Sequence, residues 1–289
     1  MSQWLARASW VAVSLALAWP LDPSWVASAQ TGPTPGAPKY VRASIVNGAS
    51  YLPDRLAPNT IVTVFGEDLA FTTRALVPSD ISDQRLPTAL PGAGVRVVVR
   101  NELAGLFYVS PNQINLLIPG NLLPGRAEIR VVRQGLAGPP VEVYLDEVAP
   151  GLFLLDEHTA IATYPDGTLV GPGHPARPGE WVVLYATGLG RTRPPLAPYE
   201  IPRQAAVLED LENFAVLLDG KAVPREHVAY VGVTPGFAGL YQINLRLPED
   251  VAEDPEVRLE VRGRLSQPGV RLAVERLVAT TEAGTASQE

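Results

Sequence analysis

The chain has no cysteine, which excludes structural disulfides, thiolate metal sites, cysteine nucleophiles and a lipid anchor on an N-terminal cysteine. Histidine is nearly as scarce, with only His158, His174 and His227 present. A hydrolase of the Ser-His-acid type would need one of these beside its nucleophile, yet no Gly-x-Ser-x-Gly elbow surrounds any serine. His-Glu-x-x-His is missing too, and Gly188-Leu189-Gly190 has neither the third glycine nor the following helix of a phosphate cradle. Basic clusters are lacking: 23 Lys and Arg are scattered against 30 Asp and Glu, a net charge of −7. Such a surface repels phosphate backbones and argues against nucleic acid as a partner. Long apolar runs are confined to Ala8 through Trp19, well short of the roughly 20 residues that span a bilayer as a helix.

That short run has a recognisable setting. Arg7 precedes it, Pro20 breaks it, and Ala27-Ser28-Ala29 places small residues at the −3 and −1 positions of a cleavage site. Residues 1–29 are therefore read as a signal peptide cut before Gln30. Trp4, Trp10, Trp19 and Trp25 would leave with it, so the mature chain would keep Trp181 alone. No membrane span is expected after cleavage, and the expected location is secreted or periplasmic. Residues 30–39 read as a Pro/Gly/Thr linker and residues 278–289 as a small polar disordered tail.

What the sequence does contain is turn chemistry and apolar alternation. There are 29 prolines and 25 glycines, while a hydrophobic share of 46% is too high for a disordered chain. Apolar residues recur with period two, as in Val95/Val97/Val99, Ile114/Leu116/Ile118 and Val257/Leu259/Val261, the mark of strands with one face in a core. Asn47-Gly48, Asp166-Gly167, Asp219-Gly220 and Pro235-Gly236 punctuate them. A repeat is also visible. Residues 56–70 match 176–190 at an offset of 120; Gln113-Ile114-Asn115 with Pro119 matches Gln242-Ile243-Asn244 with Pro248 at 129; Leu136, Pro139, Val141 and Val143 match Leu265, Pro268, Val270 and Leu272, again at 129. The fold class that follows is all-β, two tandem immunoglobulin-like β-sandwich domains at residues 40–148 and 149–277. Pro202 through Asn213 is the one stretch with room for a short helical turn.

Candidate sites are few. Trp181 and Tyr185 share one face of a strand whose other face, Val182 and Leu184, suits a core. If that face is open, the two aromatics form a tentative ligand site for a sugar or a protein partner. The alternative, preferred because tandem domains commonly bury such a stripe, is that the neighbouring domain covers them. With Ile114 and Ile243 inward, the amides of Gln113, Asn115, Gln242 and Asn244 point the other way and are assigned a structural role, bridging backbone groups of nearby loops. Acidic pairs such as Glu67/Asp68, Asp156/Glu157 and Glu249/Asp250 read as solvated loops rather than glycosidase carboxylates. The run Glu249 to Asp254 lacks the spacing of a calcium loop, and His174 reads as an exposed loop histidine. No cofactor and no metal are expected.

The strings Asn47-Gly-Ala-Ser-Tyr51, Leu56-Ala-Pro58, Leu86-Pro-Thr88, Tyr108 to Asn115, Ala149-Pro-Gly-Leu-Phe153, Val183 to Gly190 and Pro235 to Asn244 resemble a domain family of unknown function found in acidobacterial secreted proteins, usually at their C-terminal ends. Its halves are similar to IPT/TIG immunoglobulin-like modules. The resemblance spans roughly residues 43–275 and implies secretion and a tandem β-sandwich; it brings no catalytic residues. With a leader and linker ahead of the domain pair, a free-standing adaptor is an expectation beside an appended module. Together these readings predict an exported, non-enzymatic interaction or scaffold protein with a protein or polysaccharide partner. The alternative is a carbohydrate-binding module using the outer-face aromatic patch.

Overall fold

The computed structural model describes residues 36–275. The expected signal peptide, most of the expected linker and the expected C-terminal tail lie outside the described residues. The principal strands of the first half are β1 (Ile45–Asn47), β2 (Ile61–Phe65), β3 (Val95–Val99), β4 (Gly105–Val109), β5 (Gln113–Leu117), β6 (Gly125–Arg133) and β7 (Val141–Leu145). One sheet runs β1-β2-β5-β4 with Arg74–Ala75 at its edge, and the facing sheet runs β7-β6-β3 with Glu102–Leu103. All of these neighbours pair antiparallel. This is the seven-strand division of an immunoglobulin constant-type sandwich. The period-two residues meet between the sheets: Val95, Val97, Val99, Ile114 and Ile129 are fully buried in one cluster.

The second half repeats the plan with β8 (Ala162–Thr163), β9 (Trp181–Thr187), β10 (Phe214–Leu218), β11 (Val228–Val233), β12 (Tyr241–Arg246) and β13 (Val257–Val261). Its larger sheet contains β8-β9-β12-β11 and its smaller one pairs β10 with β13. The last strand position is irregular, residues 270–274 lying beside β13 through Val257 N–H to the Val270 carbonyl (2.8 Å). Val216, Leu259, Val261 and Leu272 are fully buried in a core of their own.

Register carries the repeat further than sequence matching does. Thr63 pairs with Asn115 in the first copy and Val183 with Asn244 in the second, the equivalent positions. Both copies also slip register at one place, between Leu106 and Tyr108 on β4 and between Val228 and Tyr230 on β11, opposite equivalent residues of β5 and β12. A bulge is a costly local feature that re-aims a side chain, and its recurrence at one position fits duplication of a whole folded unit.

The structure corrects the reading of Pro202 to Asn213. Ala206–Leu208 is a strand of the second copy's large sheet, paired to β11 on one side and to the edge segment Thr192–Arg193 on the other, with Ala206 and Leu208 buried and Val207 between them less so. Only Leu211–Asn213 turns, as a single 3-10 segment. Sheet pairing overrides the helical propensity of the alanines and leucines here.

Candidate functional site

Two places concentrate unusual chemistry: the seam between the sandwiches and an open pocket on the second one.

The seam is built from the outward faces of equivalent sheets. Ile61 on β2, Leu117 on β5 and Phe107, the bulged residue of β4, meet Val183 and Tyr185 on β9 in a buried apolar cluster. Phe153, Ile161 and Leu240 join from the second copy, and Ala49 and Leu86 from the first. Each large apolar side chain closed off this way contributes on the order of 2 kcal/mol. Directional bonds fix the register of the two faces. The Ile61 backbone N–H donates to Thr187 Oγ1 (3.0 Å), and that hydroxyl donates to the Gly239 carbonyl (2.9 Å). Asn47 donates through Nδ2 to the Ala149 carbonyl (2.9 Å). Asn59 donates to the Tyr241 hydroxyl (3.2 Å), and burial pushes that tyrosine up to about 12. A strap from the second copy crosses to the first, Leu86 N–H bonding the Tyr199 carbonyl (2.9 Å) and Ile201 N–H the Gln84 carbonyl (2.8 Å).

These placements decide the aromatic stripe. Tyr185 is 3% exposed, its hydroxyl shares a hydrogen bond with Thr163 Oγ1 (3.1 Å), and burial raises its pKa. Its ring lies in the apolar cluster between the two sandwiches rather than on an open face. Trp181, at the start of the same strand, is half-buried and sits opposite Arg246 on β12. The two residues do not form one open patch.

The amides do face away from the cores. Asn115 and Gln242 are buried, Gln113 and Asn244 half-buried. Their side chains bond to one another and to the neighbouring strand. Gln113 Nε2 donates to Asn115 Oδ1 (2.9 Å), which also accepts from Thr63 Oγ1 (3.1 Å), and Gln242 Nε2 donates to Asn244 Oδ1 (3.1 Å). Residues i and i+2 share a strand face, so each glutamine reaches the asparagine two residues along its own strand. Gln242 Oε1 stays without a partner.

The pocket lies at one end of the second sandwich and encloses about 510 Å³. Tyr164, Asp166, His174, Arg177, Glu180 and Glu275 are among its lining. Two tight turns make its walls. Asp166-Gly167 closes one, through Tyr164 N–H to the Thr168 carbonyl (2.8 Å) and Gly167 N–H to the Tyr164 carbonyl (2.9 Å). In the other, Gly171 and His174 exchange backbone bonds (3.2 and 2.9 Å). The Tyr164 hydroxyl donates to the Pro175 carbonyl (3.0 Å), fixing its ring. The His174 ring lies over that ring at 4.9 Å between centroids, tilted by 49°. Asp166 accepts Thr168 N–H (2.8 Å), which holds its carboxyl below the usual range. Arg177 is paired with Glu275, and Glu180 Oε2 accepts the Arg177 N–H (2.8 Å).

The other histidines stand apart from this. His227 uses Nδ1 on the Arg246 backbone carbonyl (3.0 Å), and His158 lies in a turn whose N–H groups Asp156 caps. Among the described residues, no group of three or more His, Cys, Asp or Glu is placed to hold a metal ion. Within Glu249 to Asp254, Asp254 accepts the Val274 N–H (3.1 Å) and Glu249 pairs with Arg246. No helix among the described residues is long and apolar enough to cross a membrane.

No family model and no curated protein matches this sequence. Among solved structures the chain is similar to the surface glycan-binding protein PbSGBP-B from Prevotella bryantii, at 10% identity and a TM-score of 0.26, over 84% of this chain and 42% of that one. It is similar also to a Bacteroides ovatus SGBP-B bound to a mixed-linkage heptasaccharide (11%, 0.29, 77% and 41%), and to the Escherichia coli adhesin FdeC (13%, 0.24, 77% and 62%). The chain thus spans about two fifths of the two glycan-binding proteins. The similarity assigns no ligand to this chain.

Proposed function

We propose that the chain is an exported, non-enzymatic interaction or scaffold protein of the cell envelope or extracellular space, working as one stiff element rather than as two modules on a tether. The observation that carries this reading is the seam. Tandem domains move against each other by default unless a large apolar interface joins them. Here an apolar cluster, side-chain bonds from Asn47 and Thr187, and a backbone strap all cross the joint. Such a body suits holding partners at a fixed spacing. The leader pattern at residues 1–29 supports export, and the dispersed histidines support a role without acid-base catalysis.

The test is in-cell crosslinking of the full chain with its own leader, followed by capture on the mature form and N-terminal sequencing. The expected result is an N-terminus at Gln30 and a defined envelope protein or polysaccharide retained at near-equal stoichiometry. Clean beads at high loading, or an unprocessed leader, would overturn it.

A further inference from the structure

We propose that the pocket lined by Tyr164, Asp166, His174, Arg177 and Glu180 is a binding site for an uncharged saccharide. The proposal goes beyond the scaffold reading, which would stand even if this pocket bound nothing.

Shape comes first. A volume of about 510 Å³ falls within the roughly 300–1,000 Å³ of small-molecule sites and accommodates about one or two pyranose rings. The walls are set before any ligand arrives, because both turns are closed by their own backbone bonds and the Tyr164 ring is tied to the Pro175 carbonyl. Preorganised walls spare a ligand the cost of ordering them.

The chemistry is mixed in a way that few ligands match. The Tyr164 and His174 rings give flat surfaces against which the C–H face of a sugar can pack. Asp166 and Glu180 each commit one carboxylate oxygen to a backbone N–H, leaving the second as an acceptor. Arg177, anchored by Glu275, keeps further N–H donors. A sugar hydroxyl both donates and accepts, so it can use all of these groups. Three carboxylates against one guanidinium in the lining disfavour an anion, including a uronate. An amine would be drawn to the carboxylates but would leave the Arg177 donors unused.

The experiment is a titration of the full chain with cellohexaose, xylohexaose, mannohexaose and galactan oligosaccharides, read by saturation-transfer NMR and calorimetry, with spermidine and a lysine hexapeptide in parallel. We expect one of the saccharides to bind and both amines to fail. Because Tyr164 also packs against the core, the exposed His174 supplies the safer variant. His174→Ala and Asp166→Asn should each weaken saccharide binding by roughly three- to tenfold without moving the melting temperature, while Tyr144→Ala, on the outer face of the other sandwich, should leave it unchanged. Silence toward every saccharide overturns the proposal. So does saccharide binding that survives both pocket variants, or binding of the amines in place of the sugars.

Discussion

Gly239 offers the sharpest test of the seam. Its backbone sits at φ +69°, and a Cβ built there would fall well inside contact distance of Leu117 Cδ1 in the other sandwich and 3.2 Å from Ile61 Cγ1. Gly236, three residues earlier, has φ +88° and open space around the same added atom. Alanine at Gly236 therefore tests backbone conformation alone, which for an L-residue in the left-handed region costs about 1–2 kcal/mol. Alanine at Gly239 carries that cost and also forces Leu117 out of its place in a packed apolar cluster, a further 1–3 kcal/mol or so by the usual range for overpacking. The expected total is about 2–5 kcal/mol, and the difference between the two variants isolates the contact across the joint. Guanidinium denaturation of both variants, followed by the emission of Trp181 in the leader-free protein, measures that difference. If the two alanines cost the same within about 0.5 kcal/mol, the faces do not press on each other at Gly239 and the rigid joint is wrong.

Two other predictions test the same structure. Asn47 is fully buried and satisfies four backbone groups, the carbonyls of Arg55 and Ala149 and the N–H groups of Ala49 and Ser50, so Asn47→Ala should cost about 2–4 kcal/mol in urea melts, whereas Gln113→Ala should cost under about 1; equal losses would remove the distinction drawn between them. Burial pushes Tyr40, Tyr230 and Tyr241 up to about 12, and because the folded values lie above the unfolded one, their stabilisation is complete below pH 10 and fades as pH climbs toward 12. Absorbance at 295 nm alongside circular dichroism should show these phenols ionising together with unfolding; ionisation near pH 10 in a folded protein would contradict their burial.

The architecture was legible in the sequence because a strand's alternation survives any tertiary context: Val95, Val97 and Val99 face the core as their period requires. The repeat was legible for the same reason, down to Gln-Ile-Asn. What alternation does not encode is what lies across from a strand's second face. Both faces of Trp181 to Tyr185 are rich in apolar residues, and a strand buried on both sides carries that signature; the same pattern at Ile61 to Phe65 was the signal that one covers the other. The bulges left no trace, since they depend on register between strands. The pocket was legible only in fragments. Asp166-Gly167 announced a turn and His174 an exposed loop, but Glu275 stands about 100 residues away from Arg177 in the chain, and nothing local joins them.

Several of the strings that set this sequence apart, around Asn47, Leu86, Phe153, Tyr185 and Leu240, converge on the joint. The molecule thus turns one and the same side of each copy toward its twin. Self-recognition has claimed the broad sheet surface of both copies. Among the described residues, the surfaces left for outside contact are the backs of the facing sheets and the looped ends.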